Sequence, residues 1–431
     1  MSDDHQHDDR PSVVVHDFSG HPFQVQLARS LASNGFRSTH VYCDSFQTPH
    51  GQVGDVDPDT GFRSVAVSTG EPFAKYSMRR RLKHEIEYGR KAAKTIRGLD
   101  PDVVISANVP LLAALVFQLS MLMRRIPVVF WQQDVYSVAM AKHLESQGGW
   151  HRTLLGKVFI RIERLLLRTS KRVVVIAEDF LTVLDDWKVP REKITVVENW
   201  APLEELPVRP RRNQWSERHG IADGDTVLVY AGTLGLKHQP SALLAVAEEF
   251  ADQPDVKVFV ASEGIGADWL AEALDQGADP TIITQLPFQP YEDLPDMLAA
   301  ADVLMVLLEP DAGTFSVPSK VLTYHCAGRA ILGAMPTENL ASRNIVAAGS
   351  GVIVETGDDP AFAAAARQLV DDEARRDAMG VAARAHAEAA FDIDVITTRF
   401  GALIANVADG RDATLGEADV VPEPVATRSA S

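Results

Sequence analysis

The sequence predicts an α/β protein with two doubly wound domains that face each other across a cleft. Three observations support this prediction. The chain has 431 residues, which exceeds the usual size of a single hydrophobic core. Short apolar runs alternate with helical segments almost throughout, as in parallel sheets that helices cover on both faces. The proline-rich stretch 201–212 interrupts the alternation and is typical of an interdomain linker.

The first half predicts a parallel sheet with helices between its strands. The strands are expected at Ser12–Val15, Ser38–Tyr42, Val103–Ser106, Val128–Trp131, Arg172–Ile176 and Ile194–Glu198. The helices include Phe23–Asn34, Arg81–Leu99, Pro110–Met123, Thr153–Thr169 and Ala177–Trp187. The apolar stretch Val109–Met123 is shorter than the ~20 residues of a bilayer span, so we expect it to form a buried helix.

The second half repeats this architecture without repeating the sequence. Its strands are expected at Thr226–Ala231, Val256–Ala261, Thr281–Thr284, Val303–Leu307, Ala330–Leu332 and Val352–Val354. Helices are expected at Ser241–Phe250, Tyr291–Ala300 and Lys320–Ala327, and two more around Asp371–Ala390 and Ile393–Val407. We therefore place the first domain at 11–200 and the second at 213–390. The closing helix, 391–407, is expected to pack back on the first domain.

Composition and charge exclude several classes of protein. The formal net charge of −17 argues against general nucleic-acid binding, because the phosphate backbone would be repelled. Cys43 and Cys326 have no metal-ligand spacing, so neither a structural zinc site nor a disulfide framework is expected, and a cytoplasmic location fits. Residues 1–10 lack the apolar core of a signal peptide, and we expect them and 408–431 to be disordered polar tails.

Three turns that follow predicted strands are candidate ligand sites, because doubly wound sheets bind ligands beyond the carboxyl ends of their strands. In the first, His16–Pro22, Gly20 lets the backbone approach a ligand, and Pro22 begins a helix whose N–H groups favour an anion. The spacing is not that of a dinucleotide fingerprint. An ordinary strand-to-helix turn is the alternative interpretation.

The second and third turns lie in the second half. The second turn carries Gly232, Gly235 and Lys237, so that main-chain N–H groups and an ammonium could meet a diphosphate; a solvated lysine is the alternative. The third turn, Gly313–Lys320, offers the hydroxyls of Thr314, Ser316 and Ser319 at a helix start, with Ser319 as a natural N-cap. Lys320 could instead be an exposed helix residue.

Taken together over roughly Ser12 to Val407, these segments resemble a known family. The motifs in chain order are Gly20 with Leu27-Ala28 and Gly35, Pro101-Asp102-Val103-Val104, Lys193-Ile194 with Glu198-Asn199-Trp200, Tyr230-Ala231-Gly232 with Lys237, Ala301-Asp302-Val303, Val317-Pro318-Ser319-Lys320 and Ala327-Gly328-Arg329. Their order and spacing resemble the retaining GT-B-fold glycosyltransferases of the family-4-like type, especially the branch of colanic-acid, O-antigen and capsule biosynthesis. The resemblance implies a GT-B fold, which is two Rossmann-like domains facing a cleft.

The resemblance also implies roles for individual residues. Those matched to donor binding are Gly232, Thr233, Lys237, Phe288, Gln289, Ser316, Pro318, Ser319, Lys320 and Thr323. Lys237 matches the lysine that contacts the donor diphosphate, and Phe288-Gln289 matches the loop that lines the nucleotide base. Gly20 matches the glycine loop near the reacting centre. The acceptor side is assigned to Ser19, His21 and Gln133, with Asp134 as a candidate base or a structural hydrogen-bonding residue.

The sequence departs from the family pattern at two places. Many members carry two glutamates eight positions apart, where this chain has Phe315 and Thr323. An arginine that is common after the glycine of the first strand in the second domain is Thr233 here. These departures weaken the expected contacts to ribose and phosphate, and they keep a non-catalytic, sugar-nucleotide-binding accessory protein open as an alternative.

The implied reaction moves a sugar from a UDP- or GDP-sugar to a saccharide or lipid-linked acceptor. Lys237 and the helix N–H groups at Ser319 could stabilise the leaving diphosphate, so we expect no metal and no other cofactor. Retention of configuration is implied, with the donor phosphate accepting the proton of the acceptor. A sugar-nucleotide 2-epimerase is the competing enzyme class, but it needs acid/base carboxylates and histidines in the cleft.

A basic segment stands out on this acidic chain. Its cations are Lys75, Arg79, Arg80, Arg81, Lys83, Arg90, Lys91, Lys94 and Arg97, against only Glu85 and Glu87. Such a concentration of charge suits anionic lipid head groups, although a solvated helix face is an equal alternative. The resemblance favours the membrane, because many related enzymes act on lipid-linked acceptors. We expect peripheral contact with the inner face of the cell membrane.

Overall fold

The computed structural model describes residues 10–45, 57, 59–70, 78–235, 238–276, 283–310 and 316–410. The strands are β1 (Ser12–Asp17), β2 (Arg37–Cys43), β3 (Arg63–Val67), β4 (Val103–Ala107), β5 (Val128–Gln132), β6 (Arg172–Val175), β7 (Ile194–Val196), β8 (Thr226–Ala231), β9 (Val256–Ala261), β10 (Thr284–Leu286), β11 (Val303–Leu307), β12 (Ala330–Ala334) and β13 (Gly351–Val354). The helices are α1 (Pro22–Ser33), α2 (Met78–Leu99), α3 (Leu111–Arg124), α4 (Tyr136–Ser146), α5 (Trp150–Thr169), α6 (Leu181–Asp186), α7 (Gln214–Arg218), α8 (Ser241–Glu249), α9 (Ile265–Gln276), α10 (Leu294–Ala300), α11 (Lys320–Ala327), α12 (Leu340–Ala348), α13 (Asp359–Asp371), α14 (Glu373–Ala390) and α15 (Ile393–Ala408).

The strands form two parallel sheets, one in each half of the chain. The first sheet has the order β3-β2-β1-β4-β5-β6-β7, and the second has the order β10-β9-β8-β11-β12-β13. In both sheets the first strand in sequence lies near the middle and the chain winds outwards in two directions. The two doubly wound α/β domains that the sequence predicts are therefore confirmed.

Helices cover both faces of the first sheet. Alternate residues of each strand point to opposite faces, and both sets are apolar, so both faces need a covering layer. Val13 and Val15 of β1 pack with α1, whereas Val14 packs in a separate cluster with α2 and α3. Helix α3 also packs against α5 through another cluster that includes Leu111 and Phe159. Helices α2, α3 and α5 consequently form a layer on one side of the first domain.

The end of the described chain returns to the first domain. Helix α15 packs against α1, and the hydroxyl of Thr397 donates to the hydroxyl of Ser30 at 2.8 Å. Phe400 lies against Trp131 of β5, with ring centroids 4.9 Å apart. Arg343 of α12 reaches from the second domain to Asp179, with nitrogen and oxygen 3.1 Å apart. These contacts fix how the two sheets face each other.

Two expectations about elements need correction, and several elements were not predicted. Strand β10 begins at Thr284, whereas the strand was expected at 281–284; it is a three-residue edge strand, and residues 281 and 282 lie outside the described ones. The elements that were not predicted are strand β3 and helices α4, α7, α9, α12 and α13. Helix α3 is not buried along its whole length, because Leu119, Leu122 and Met123 near its end are 47%, 43% and 77% exposed. None of the described helices is long and apolar enough to cross a membrane.

Candidate functional site

A cleft of about 680 Å³ separates the two domains at the carboxyl ends of both sheets. We call it the interdomain cleft. Many of the residues predicted from the sequence line it: Ser19, His21, Asp134, Gly232, Thr233, Phe288, Gln289, Ser316, Pro318, Ser319, Lys320 and Thr323. Gly20 lies between two of these residues, and Gln133 lines an adjoining pocket. Lys237 lies outside the described residues.

The loop of Gly20 is shaped by the buried carboxylate of Asp17. One oxygen of Asp17 accepts hydrogen bonds from the backbone N–H groups of Ser19 at 3.2 Å and His21 at 2.9 Å. The other oxygen lies 2.6 Å from the imidazole of His40. Burial alone would raise the pKa of Asp17, but its hydrogen bonds and the nearby histidines outweigh burial and lower that pKa.

Gly20 itself completes this turn. Its φ is +68°, a left-handed conformation that a side chain would strain. The turn brings Ser19 and His21 to the interdomain cleft, while Pro22 begins α1 directly behind them. Burial lowers the pKa of His21 to about 4, so its ring is neutral at physiological pH.

The loop after β8 is held against its own sheet. The N–H of Gly232 donates to the carbonyl of Ala261 at 3.0 Å, and the hydroxyl of Tyr230 donates to the carbonyl of Thr233 at 2.9 Å. Gly232 has a φ of +116°. These contacts fix the loop with its backbone facing the interdomain cleft.

Two glycines that the sequence analysis did not single out support the same loop. A Cβ atom on Gly264 or Gly266 would lie only 2.9 or 2.8 Å from the carbonyl oxygen of Leu234. The start of α9 therefore approaches the loop more closely than any side chain would allow. The spacing Gly264-x-Gly266 directly after β9 was the available signal in the sequence.

Helix α11 directs its first turn at the interdomain cleft. The hydroxyl of Tyr324 accepts a hydrogen bond from the N–H of Ala231 at 3.0 Å and donates to the carbonyl of Met305 at 3.1 Å, which ties the helix to two strand ends. Ser319 is the N-cap, but its side chain makes no capping hydrogen bond. Its backbone is helical rather than extended, so the hydroxyl is not directed at the following N–H groups. The expected capping role of Ser319 is thus wrong.

Lys320 is the unusual residue of this helix. Its Nζ is buried, has no hydrogen-bond partner among the described residues, and lies 3.6 Å from the ring centre of Tyr230. Desolvation by burial lowers the pKa of Lys320 well below its ordinary value. Thr323, one turn further on, uses its hydroxyl to donate to the carbonyl of Lys320 at 2.8 Å.

The loop after β10 forms another wall of the cleft. Phe288 and Gln289 are both partly buried and line it. The side chain of Gln289 accepts a hydrogen bond from the indole of Trp215 at 3.2 Å and donates to the carbonyl of Pro287 at 3.0 Å. Since Trp215 is fully buried, this loop has a fixed side-chain support.

A second cavity of about 380 Å³ opens from the first domain, and we call it the side pocket. Ser19 and Asp134 line both the side pocket and the interdomain cleft, so the two spaces adjoin there. Side-pocket residues that the sequence analysis did not assign to a site are Ser106, Asn108, Gln132, Tyr136 and Glu163. Arg81, which the sequence analysis placed in the basic segment, also lines this pocket and bonds to Glu85 and Tyr136. The side-pocket residues come from separate elements, so no single motif could reveal them.

Glu163 is a buried carboxyl at the base of the side pocket. It accepts hydrogen bonds from the N–H groups of Tyr136 at 3.2 Å and Ser137 at 2.8 Å, at the start of α4. Burial raises its pKa to about 7, with a smaller contribution from Asp134, although the bonds from Ser137 and Tyr136 act in the opposite direction.

Several buried polar atoms around the two spaces have no hydrogen-bond partner among the described residues. They are Nδ1 of His21, Oε1 of Gln132, Nε2 of Gln133 and Oδ1 of Asn199. Buried polar groups are normally hydrogen-bonded, so a cluster of vacant donors and acceptors suits a ligand rich in hydroxyl groups. In the same described part of the chain, no group of three histidine, cysteine or acidic side chains is arranged to hold a metal ion.

Two family models match this chain, one for each half. The glycosyl transferase 4-like domain matches residues 21–200, and the glycosyl transferases group 1 domain matches residues 211–386. The match boundary falls within the linker stretch between the two sheets. The chain belongs to the GT-B glycosyltransferase family.

Among the relatives of this glycosyltransferase is a GDP-mannose-dependent monoacylated alpha-(1-6)-phosphatidylinositol monomannoside mannosyltransferase from Corynebacterium glutamicum. It is 26% identical over 164 residues, which are 38% of this chain and 42% of that protein. The chain therefore aligns with less than half of this curated relative. Sequence similarity alone thus leaves the transferred sugar and the acceptor open.

Solved structures show the shared fold along nearly the whole chain. The Anabaena HepE protein in complex with UDP and glucose has a TM-score of 0.66 at 14% identity, covering 92% of this chain and 100% of that one. The sucrose-phosphate synthase of Thermosynechococcus elongatus has a TM-score of 0.69 at 12% identity, covering 93% and 100%. At these identities the likeness concerns the GT-B fold.

Proposed function

We propose that this protein is a retaining glycosyltransferase that moves a sugar from a nucleotide-sugar to a saccharide or lipid-linked acceptor. The donor is a UDP- or GDP-sugar held by the second domain, and the first domain presents the acceptor. The pathway is the synthesis of a surface polysaccharide or glycoconjugate. The observation that carries the proposal is the interdomain cleft, where the Gly232 loop, the first turn of α11 and Lys320 converge, and the Nζ of Lys320 has no hydrogen-bond partner among the described residues.

The second domain offers a site of the right chemistry for a nucleoside diphosphate. Backbone N–H groups at the start of a helix favour phosphate oxygens, and a buried ammonium adds positive charge in a poorly solvated place. Phe288 and Gln289 place one apolar and one polar side chain in the wall of the interdomain cleft, which suits a nucleotide base. The HepE structure contains UDP, and the mannosyltransferase relative is described as GDP-mannose-dependent, so both bases belong in the test.

In the proposed reaction the bond between the anomeric carbon and the diphosphate oxygen breaks, and its electron pair stays on the diphosphate. The acceptor oxygen bonds to the same carbon, and its proton passes to the departing phosphate oxygen. Lys237 and Lys320 stabilise the negative charge that develops on the leaving group. No metal or other cofactor enters this scheme.

The side pocket is the proposed acceptor site. It adjoins the interdomain cleft at Ser19 and Asp134, so an acceptor hydroxyl there would meet the anomeric carbon. Its vacant polar atoms on Gln132 and Gln133 suit sugar hydroxyls. Gly20 lies between Ser19, which lines both spaces, and His21, which lines the interdomain cleft, and Asp134 is a candidate hydrogen-bond partner for the acceptor.

The outer side of the first domain supports peripheral contact with an anionic membrane on the cytoplasmic side. Helix α2 exposes Arg80, Lys83, Arg90, Lys91 and Lys94, whereas its Glu85 is buried against Arg81 and its Glu87 is paired with Lys91 at 2.8 Å. These cations stand on a protein whose net charge is −17. We call the exposed faces of α2, α3 and α5 the outer helix layer.

Helix α5 adds an apolar stripe to the outer helix layer. Trp150, Leu154, Val158 and Leu165 are exposed at helical spacing, and Trp150 is 80% exposed. Lys157, Arg161 and Arg168 are exposed among them, while the acidic Glu163 is buried on the other side of the helix. An exposed stripe of apolar and cationic residues without acids suits the interface of an anionic bilayer.

A panel of nucleotide-sugars tests the proposed donor most simply. At least one UDP- or GDP-sugar should raise the melting temperature by several degrees at saturating concentration, because a ligand that binds only the folded state stabilises it. The same panel with the free sugars should produce no shift. If every nucleotide-sugar leaves the melting temperature unchanged, the proposal is wrong.

A further inference from the structure

We infer that Glu163 positions the amide of Gln132 so that its carbonyl oxygen, and not its NH2 group, faces a hydroxyl of the acceptor sugar. Glu163 is then a positioning residue, and Gln132 is the residue that contacts the acceptor. This inference rests on the proposed function and deepens it, because it states which kind of group the side pocket selects. The acceptor must offer a hydroxyl that donates a hydrogen bond at this place.

The two ends of the Gln132 amide have different surroundings. Gln132 ends β5, and its side chain lines the side pocket. Its Nε2 donates to Oε1 of Glu163 at 3.3 Å, whereas its own Oε1 is buried and has no hydrogen-bond partner among the described residues. An ionised carboxylate only accepts hydrogen bonds, so the NH2 end of the amide faces Glu163. A buried carbonyl without a donor costs free energy, which a hydroxyl of the ligand would recover.

The position of Glu163 is set by the fold and does not depend on a ligand. Its Oε1 also accepts from the N–H of Tyr136, and its Oε2 accepts from the N–H of Ser137, both at the start of α4. Strand β5 and helices α4 and α5 therefore hold the amide of Gln132 in one orientation. Support of α4 alone would explain the bonds from Tyr136 and Ser137. It would not explain the unpartnered oxygen of Gln132 at the wall of a pocket.

Protonation of Glu163 should reverse the polarity of this contact. Burial raises the pKa of Glu163 to about 7, with a smaller contribution from Asp134. Helix α2, the loop after β5 and helix α4 contribute the other titratable side chains that line the side pocket, which are Arg81, Asp134 and Tyr136. A protonated Glu163 carries a donor, so the amide of Gln132 can turn, accept from it and present NH2 to the pocket. We therefore expect the preference for a donating hydroxyl to fade as the pH falls through about 7.

Transfer to octyl glucoside, octyl galactoside and octyl mannoside tests the inference. For the best of these acceptors, each hydroxyl is replaced in turn by fluorine, which cannot donate a hydrogen bond. Apart from the analogue that lacks the reacting hydroxyl, one analogue should have a KM about 10-fold above that of its parent at about pH 8, as expected for loss of one hydrogen bond to a buried group. The ratio of the two KM values should approach one at about pH 5.5, where Glu163 is protonated. Titration of the donor cancels in this ratio, because both acceptors are measured at the same pH.

Three variants connect the ratio to the two residues. Gln132→Leu should raise the KM of the parent hexoside to that of the analogue, so that the ratio is near one at both pH values. Glu163→Gln should give a ratio that no longer depends on pH, while the KM of the nucleotide-sugar stays unchanged. Glu145→Gln, at an exposed position of α4, should behave as the wild type. Melting temperatures establish that each variant is folded, and the ratios of the wild type and Glu163→Gln decide the question if Gln132→Leu does not fold.

The possible failures are distinguishable. A ratio near one for every analogue of the wild type at the higher pH, or a ratio in Glu163→Gln that follows pH as in the wild type, would overturn the inference and leave the transferase function intact. Donor binding without transfer to any octyl hexoside would also overturn it, because the side pocket would then not accept a sugar hydroxyl. If the wild type binds no nucleotide-sugar, the proposed function fails, and the inference fails with it.

Discussion

Asp17 organises the Gly20 loop, although its side chain does not line the interdomain cleft. Its oxygens hold two backbone N–H groups of the loop and the ring of His40. The sequence predicted the loop because glycine and proline mark a strand-to-helix turn. It did not predict the role of Asp17, since a carboxylate that bonds to backbone groups leaves no sequence motif. Residues that position a site are in this way harder to predict than residues that touch it.

Lys237 is the residue for which a substitution gives the clearest prediction at this scale. It follows Gly232 and Gly235 in the sequence, where we expect an ammonium to meet a leaving diphosphate. Lys237→Ala should lower the rate of transfer at least about 100-fold, comparable to the loss of one preorganised donor at a reacting centre. The melting temperature should hardly change, because we expect a lysine that faces a ligand to contribute little to the core.

Turnover, donor affinity and melting temperature should be measured on one preparation of Lys237→Ala. The matched control is Lys142→Ala, which removes an exposed lysine of α4. Near-normal turnover in a folded Lys237→Ala protein would mean that this lysine is only a solvated side chain. The donor site would then have to be assigned without it.

At the scale of elements, Glu163 bonds to the start of α4, and its raised pKa makes the free energy of unfolding depend on pH. Its pKa is about 7 in the folded protein against 4.5 for an ordinary glutamate. Between these values the folded state holds a proton that the unfolded state has released. The contribution of Glu163 to the free energy of unfolding is therefore largest below about pH 4.5. This contribution is lost as the pH rises through about 7, and the total loss is roughly 3 kcal/mol.

Glu163→Gln removes this titration and keeps one oxygen, which can accept from the N–H group of Tyr136 or of Ser137, whereas in the wild type each N–H group has its own carboxylate oxygen. From pH 5 to pH 8 the wild type should lose free energy of unfolding relative to Glu163→Gln, measured by urea denaturation at each pH. Glu145→Gln, at an exposed position of α4, should follow the wild type. Parallel pH curves for the wild type and Glu163→Gln would contradict the assignment.

The outer helix layer gives a second prediction at this scale. Replacing Arg80, Lys83 and Lys94 with glutamate should weaken binding to anionic vesicles more than tenfold, since each cation near such a surface contributes about 1 kcal/mol. Arg81 is left unchanged because it bonds to Tyr136 and lines the side pocket. Vesicle affinity of the wild type should also fall as salt rises.

The apolar stripe is tested separately. Trp150→Ser with Leu154→Ser should reduce sedimentation with anionic vesicles, whereas Val346→Ser with Val381→Ser, at exposed positions of the second domain, should not. Soluble UDP or GDP should bind all variants equally, because the changes lie outside the second domain's nucleotide wall. Unchanged sedimentation of both the glutamate and the serine variants would mean that the outer helix layer is only a solvated face.

Elements with a strong apolar pattern were predicted from the sequence, and those with a weak pattern were not. Strands β1 and β11 are buried on both faces and read as continuous apolar runs. Strand β3 is a partly exposed edge strand and was missed. The exposed end of α3 could not be distinguished from a buried helix by hydropathy, because burial depends on which neighbours pack against it.

At the scale of the whole molecule, the alternation of strands and helices predicted two sheets whose ligand edges meet. It could not predict which parts of the first domain would meet the second. The side pocket combines Arg81 of α2, Asn108 after β4 and Glu163 of α5, which are far apart in sequence. Only the wound order of the strands brings their ends to one edge.

The most direct test of the central proposal is analysis of the product formed from a labelled nucleotide-sugar and a saccharide or lipid-linked acceptor. The assay should contain excess chelator. The proposal predicts equal amounts of nucleoside diphosphate and a glycoside whose anomeric configuration, read by NMR, matches that of the donor. An epimerised sugar-nucleotide, binding without product, or activity that disappears with chelator and returns with a divalent ion would contradict it.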